Sequence, residues 1–411
     1  MTWESEKLEN IVDFETGKLN ANAAKKDGKY PFFTCSQETF KIDKYAFDKE
    51  AILLSGNNAK GIYSVKYYNG KFNAYQRTYV IQIKNKNLVS YDFLLLALTL
   101  NLERLRIFSI GTSTKYLTLG ILKNFEVTLP PLEEQQKIVG VLSLVQEAIR
   151  QQEQLISTTT ELKKATMQKL FTEGTRGEPQ KMTEIGLIPE SWDVVKLGKF
   201  CKVKSSSLSF KKVSILGTTN KSFPRVLAIK VSDMNTESNQ REINTANLEF
   251  YPDPSKFNFN KCISPGAIIF PKRGAAIATN KKRLLGEKAI LDPNLIAVIP
   301  GQEFLPQFLY NYFLRIDLTK FTDPGCLPQL NKKDIEPADL PMPSIQEQEA
   351  ITQIANLFDS KEGQHKIRLR TLQDLFQTLL HQLMTAQIRV DDLDLSALNL
   401  ELQGGKQDAL V

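Results

Sequence analysis

Two kinds of stretch in this chain crowd cations, aromatic rings and amide side chains together, and their joint chemistry suits a polyanion. The first is VKYYNGKFNAYQRTY, where Lys66, Lys71 and Arg77 interleave with Tyr67, Tyr68, Phe72 and Tyr75 and with Asn69, Asn73 and Gln76. Lys and Arg neutralise phosphates, Asn and Gln pair bidentately with adenine, and Arg does so with guanine. Just upstream, SGNNAKG adds Asn57, Asn58 and Lys60 in a loop-like setting. The Asn69-Gly70 dipeptide fits a hairpin turn, and along a strand every second side chain faces a core. Binding and plain strand packing stand as equal readings of this run.

The second kind lies in the other half of the chain. FPKRGAAIATNKKRLLGEKAI sets Lys272, Arg273, Lys281, Lys282 and Arg283 around small residues. KVKSSSLSFKK is a basic loop carrying Lys204, Lys211 and Lys212, and Lys230 follows the strand-like RVLAI. A solvated charged face is the bland account of such runs. Three consecutive cations tip the balance toward phosphate contact.

Catalysis finds no comparable foothold. The chain holds no GxxxxGK[ST] loop, no GxGxxG turn after a strand, no HExxH, no GxSxG and no NPPY-type tetrapeptide for clasping a flipped base. Its two histidines, His365 and His381, both fall in one helical stretch, which excludes a His-dependent nucleophile or a His-rich metal site elsewhere. The cysteines Cys35, Cys201, Cys262 and Cys326 form no CxxC pair and read as reduced thiols. No apolar run approaches a membrane span, and the start MTWESEKLEN does not look like a secretion signal, so no membrane role and a cytoplasmic location are expected.

The elements that must position these residues are set by a repeat. LPPLEEQQKIVGVL, closing with ELKKATMQKLFT, returns 213 residues later as MPSIQEQEAITQIA and DLFQTLLHQLMT. Glu134 matches Glu347, Gln135 matches Gln348, and Leu170 matches Leu383 without a gap. After its opening prolines each copy runs about 40 residues with none, as a helix of roughly 60 Å requires. Alternate steps of four and three trace a heptad seam. It passes through Ile138, Leu142, Val145, Ile149, Ile156 and Leu170 in one copy, and through Ile351, Ala355, Phe358, Leu369, Leu372, Phe376, Leu379 and Leu383 in the other. Both seams are apolar at the ends and more polar between. A block of this size is about 30 to 40 Å across, too short to cover such a seam, so the two helices are expected to pair within the chain.

The repeat extends to the blocks. Trp3, Lys7 and Leu8 recur in spacing as Trp192, Lys196 and Leu197. Residues 1–128 and 190–341 carry net charges of +5 and +7, while the helices, the linker and the tail are neutral or acidic. All of the positive excess therefore sits in the two blocks, as expected if both touch a polyanion. AILLSG, GIYSVKYY and TYVIQIK read as strands in the first block, and SYDFLLLALTLNLERLR as a helix capped by Ser90 and Asp92. RVLAIKVSD, GAIIFPKRG and NLIAVIP are strands and FLPQFLYNYFLRIDL a helix in the second. The expected class is α+β: mixed α/β blocks at 1–128 and 190–341, long helices at 129–172 and 342–385, a linker at 173–189 and an acidic, partly ordered tail at 386–411.

Together PPLEEQQKI, ATMQKLFT, KMTEIGLIPESWDVVKLG and the second block with its helix resemble the specificity subunit of type I restriction-modification systems, over nearly the whole chain. GTSTKYLTLGIL and GCLPQLNKKDI, ahead of the two helices, resemble that family's lead-in to its shared regions. The resemblance implies two target recognition domains, each reading one half of a bipartite, asymmetric site in double-stranded DNA. It also implies a pseudo-two-fold repeat whose helices form an antiparallel coiled coil that sets the gap between the halves. The subunit would be non-catalytic and cofactor-free. Two modification subunits would bind S-adenosylmethionine and methylate adenine, and restriction subunits would use ATP and Mg and cleave. The second copy departs from the pattern in reading MPSIQEQ where paired prolines are usual. A recognition subunit of a related type II system, or a coiled-coil scaffold for acidic partners, remains the alternative.

Overall fold

The computed structural model describes residues 3–205, 217–218, 221–322 and 328–393. It divides into two compact units, Met1–Leu155 with His365–Val411, and Ile156–Gln364. The division cuts through both long helices, Leu132–Glu173 and Ile345–Met384, so each unit contains one block and half of each helix.

In the first unit a six-stranded sheet carries Phe47–Ser55 at its centre, flanked by Thr78–Ile83 and Val65–Ala74. Just beyond the edge strand Val12–Thr16, Leu19 bridges Tyr75, so the sheet curls back on itself. One face buries Phe33, Leu53, Phe72 and Val80, and the other packs on the helix Tyr91–Leu100. Ser90 caps that helix, its hydroxyl accepting from the Phe93 amide at 3.2 Å. The strand Val65–Ala74 runs straight through Asn69-Gly70, with Gly70 at φ 131° opposite Lys49. The expected hairpin turn is absent there, because pairing along the whole length of Phe47–Ser55 holds the strand extended. The chain turns instead at Tyr75–Thr78, where the Thr78 amide donates to the Tyr75 carbonyl at 2.8 Å.

The second unit holds a five-stranded sheet with Leu295–Pro300 and Ile268–Pro271 inside it, and a four-stranded sheet containing Val226–Ile229. The helix Pro306–Leu314 covers the first of these sheets through Phe308 and Phe313. The linker is folded rather than open, forming the hairpin Gln180–Thr183 with Gly186–Pro189. Gly174, at φ 68°, ends the first long helix where a Cβ would stand 2.8 Å from the Glu347 carboxylate, so a side chain there would be strained.

Antiparallel pairing is evident inside each unit separately. In the first, Gln152 meets His365 at 3.0 Å while, further back on the first helix, Glu134 meets Arg389 at 2.6 Å and Lys137 meets Asp391 at 3.0 Å. In the second, Lys163 pairs with Asp359 while Glu347 accepts from the Thr175 amide at 2.9 Å. None of the seam positions deduced from the heptad is exposed. The helix ends also enter the block cores: Ile138, Leu142, Phe376 and Leu383 join the first, and Leu170, Phe171, Ile351 and Ala355 the second. Residues Arg389–Asp391, expected in an acidic tail, return onto the first long helix, with Val390 buried.

What ties helix to block is one residue used twice. Gln135 is fully buried, its amide donating to the Leu88 and Pro130 carbonyls at 2.8 and 2.9 Å and accepting from the Ser90 amide at 3.1 Å. Gln348 repeats this with Glu303, Pro343 and Leu305 at 2.8, 3.1 and 2.8 Å. Substituting either glutamine by alanine strands three backbone groups, at a cost of about 2 to 3 kcal/mol in denaturant unfolding. Wild-type stability in both variants would show the clamp to be dispensable.

Candidate nucleic-acid interface

In the first block a cleft of about 580 Å³ opens beside the Tyr75–Thr78 turn, lined by Thr16, Gly56, Gln76, Arg77, Tyr116 and Leu119 among others. The turn holds Gln76 and Arg77 outward and exposed, and it is anchored by the Gly56 amide donating to the Arg77 carbonyl at 2.7 Å. The Arg77 guanidinium lies 5.3 Å from the centre of the Tyr116 ring, a cation–π distance, and Gln76 donates to Asn20 Oδ1 at 2.8 Å. Asn57–Asn58 pairs antiparallel with Lys115–Tyr116, and Asn58 Oδ1 accepts from the Lys60 amide at 2.9 Å. Of the deduced residues Gln76 and Arg77 line this cleft, and Asn57 and Asn58, with Lys60 bonded to the latter, lie on the strand paired with Tyr116, which also lines it. Lys115 and Tyr116 belong with them and were assigned from sequence only to the lead-in of the helix. The signal available was a Lys-Tyr pair inside the Gly/Thr/Ser-rich run GTSTKY.

Other residues of the same run have partners inside the block, and one of them, Asn73, is a correction. Tyr67 donates to Glu50 at 2.7 Å and packs against Tyr91, and burial together with Glu50 drives its hydroxyl pKa well above the usual value. Lys66 donates to Thr39 at 3.1 Å, and burial lowers its pKa. Asn73 is buried, donating to the Lys44 carbonyl at 2.9 Å and accepting from the Ala74 amide. Asn73 is therefore structural, while Lys66 and Tyr67 stand half-buried. Asn69 and Lys71 stay exposed, Lys71 lying 4.9 Å over the Tyr45 ring and 4.0 Å from Asp48.

The second block repeats the arrangement in its backbone. Lys272 and Arg273 pair with the stretch Pro328–Leu330: the Leu330 amide donates to the Lys272 carbonyl at 2.9 Å, and Arg273 bridges Gln329. In both blocks, then, a loop with candidate contacts is hydrogen-bonded to the segment that leads into a long helix. Arg273, Lys204 and Lys230 are exposed, and Lys281 reaches Asn235. Lys211 and Lys212 lie outside the described residues.

Lys282 and Arg283 are corrections. Lys282 is 1% exposed, and its ammonium donates to Asn280 Oδ1 at 2.7 Å and to the Ile316 carbonyl at 2.6 Å. Arg283 is buried and donates to the carbonyls of Lys282 and Met234 at 2.8 and 2.9 Å. The apolar strand Arg283–Leu285 draws Arg283 inward, where backbone oxygens take its Nη1 and Nη2 and its Nε has no partner, and Lys282 just before it is held by Asn280 Oδ1 and the Ile316 carbonyl.

Among the described residues no cluster of His, Cys, Asp and Glu could hold a metal ion. Nor is any described helix long and apolar enough to cross a membrane. The site geometry offers exposed cations, amides and a ring at loop edges, which is recognition chemistry.

A duplicated unit of this kind, a mixed α/β block clamped to an antiparallel helix pair, defines a class. The sequence model of the type I restriction modification DNA specificity domain matches residues 1–160 and 189–371, and the chain belongs to that family. It is 27% identical over 418 residues to the type I restriction enzyme EcoDI specificity subunit of Escherichia coli, covering 96% of this chain and 91% of that protein. It is 25% identical to the MjaVIII specificity subunit of Methanocaldococcus jannaschii, covering 95% and 94%. The crystal structure of the type I S subunit of M. genitalium shares the fold at TM-score 0.55, with 20% identity and coverage of 93% of this chain and 96% of that one.

Burial pushes the Lys282 pKa down from 10.5 to about 8. Between those values the unfolded chain binds more protons than the folded one, so this side chain's contribution to stability rises with pH across that window. Below it both states are charged and the burial penalty is constant. Lys282→Met should flatten the rise in urea-unfolding stability measured from pH 8 to 10; equal slopes in the two proteins would contradict the assignment.

Proposed function

We propose that the chain is the DNA-recognition subunit of a type I restriction-modification complex. Each block reads one half of a bipartite, asymmetric duplex site, and the coiled coil sets the gap between the halves and docks two modification subunits. The observation that carries this is the repeat itself: two basic blocks of different sequence, each offering exposed cations at a loop bonded to the lead-in of a long helix. Two tethered readers multiply affinity and lengthen the site, and unequal readers make its halves unequal. Membership of the family favours this over a type II recognition subunit or an acidic-partner scaffold.

In this reading the chain does no chemistry and takes no cofactor. S-adenosylmethionine is bound by the modification subunits, and ATP and Mg by restriction subunits. In the first block Arg77, stacked on Tyr116, and Gln76 meet base edges, while Lys60 and Lys115 meet phosphates. In the second, Arg273, Lys272, Lys204 and Lys230 play the cationic part.

Duplex binding by the complex should fall steeply with salt, and Arg77→Ala should cost about 1 to 3 kcal/mol at the first half-site alone, read as methylation of sites degenerate in one half. Equal loss at both halves would remove Arg77 from base reading. Deleting one heptad from each long helix shortens the pair by about 10 Å, near three base pairs. Methylome sequencing should then show the same half-sites with a contracted gap, and an unchanged gap would refute the ruler.

A further inference from the structure

One contact in the second unit joins three elements at a single point. Arg241 sits at the start of the edge strand Glu242–Ile243, and its carbonyl accepts from the Leu284 amide at 2.9 Å. Its guanidinium lies across the second long helix, Nη1 standing 2.5 Å from Asp359 Oδ2 and Nη2 donating to Asn356 Oδ1 at 2.7 Å. Asp359 also pairs with Lys163 of the first long helix. One carboxylate therefore holds the block and both helices.

The surroundings make this more than a surface ion pair, which is ordinarily worth little. The Arg241, Asp359 and Lys163 side chains are only 33, 21 and 18% exposed. Buried Tyr310 lies close enough to feel the charges of both Arg241 and Asp359. The loop behind Arg241 is stiffened by Asn239, buried and donating to the Asp233 and Thr245 carbonyls at 3.0 and 2.8 Å, and by Arg283 donating to the Met234 carbonyl. A guanidinium on a stiff edge strand, ion-paired to Asp359 and hydrogen-bonded to Asn356 one helical turn away, is held at two points on the helix.

The repeat shows that the triad is no general requirement of the packing. By the 213-residue offset, Asp359 corresponds to Gln146 and Lys163 to Phe376. In the first unit Phe376 is buried in the core and the Gln146 side-chain oxygen is buried without a hydrogen-bond partner. No charge stands at either matched position, so an ionic bolt here is particular to the second block.

We propose that Arg241 is a positioning residue, locking the second block at one angle on the helix pair and so restricting recognition to a single gap length. This rests on the reading of the chain as a bipartite DNA reader. Arg241 itself need not touch DNA.

The test uses the methyltransferase complex assembled on the full chain and duplexes carrying both half-sites with the cognate gap or one base pair more or less. Wild-type complex that shows no bipartite site would sink the recognition reading, not this proposal in particular. With that site established, R241A and D359A should raise methylation of the altered-gap duplexes by about tenfold relative to the cognate, while both half-site sequences stay unchanged. Retention of the single gap by folded R241A and D359A overturns the proposal. So does uniform loss on every gap by a destabilised R241A, if N356A, which removes only the Nη2 bond, keeps the wild-type gap preference.

Discussion

The structure depends on two buried amides. A helix N-terminus presents backbone groups that need partners, and a chain turning from a block into a helix presents more. Gln135 and Gln348 meet the second need, each donating to the proline carbonyl before its own helix and bonding to two backbone groups of its block. The neighbouring glutamates complete the joint. Glu134 accepts from Trp3 at 3.1 Å and pairs with Arg389, and Glu347 accepts from Thr175 and faces Arg176 at 3.8 Å. Arg176 and Arg389 are themselves matched by the repeat offset, so each joint is completed by the segment that follows the other helix. That constraint fits the repeat, in which Pro130, Glu134 and Gln135 match Pro343, Glu347 and Gln348 while Pro131 gives way to Ser344.

Polarity in the seam has its own logic. Apolar seam residues near the blocks merge with the cores and supply burial energy of about 2 kcal/mol each. Toward the middle of the helices, Gln152 with His365 and Lys163 with Asp359 replace them. Such pairs add little net stability, yet a shifted register would leave them buried without partners. A pairing that must hold a length is better served by register than by extra adhesion.

The repeat, the helix spans and the seam were legible because they rest on periodicity, and every deduced seam position from Ile138 to Leu383 avoids solvent. The strands around Ile52, Tyr79 and Ile269 were legible from β-branched runs. The exposure of the candidate residues was legible only where turns stayed turns: Gln76 and Arg77 are exposed, but Asn73, Lys282 and Arg283 were hidden by partners far away in sequence. Composition reports that a cation is present and not which way its strand faces, since a shift of one residue reverses the face. Lys115 and Tyr116 were missed because their pairing with Asn57–Asn58 spans more than fifty residues.

The two blocks share their frame and differ in their sheets. In each, a short strand before the block's core pairs with the strand entering the long helix, Glu4–Lys7 with Glu126–Leu129 and Asp193–Lys196 with Asp339–Met342. Beyond that collar the first block builds one curled six-stranded sheet and the second builds two sheets. The candidate contacts sit beyond the collar, on loops whose side chains carry little of the fold, while the collar, the glutamine clamp and the seam use buried or backbone groups. On the proposed reading, a change of loop side chain would alter what is read without disturbing what holds the reader, whereas a change at Gln135 or Gln348 would have the opposite effect. Separating the two sets of residues is what allows one scaffold to carry two different readers.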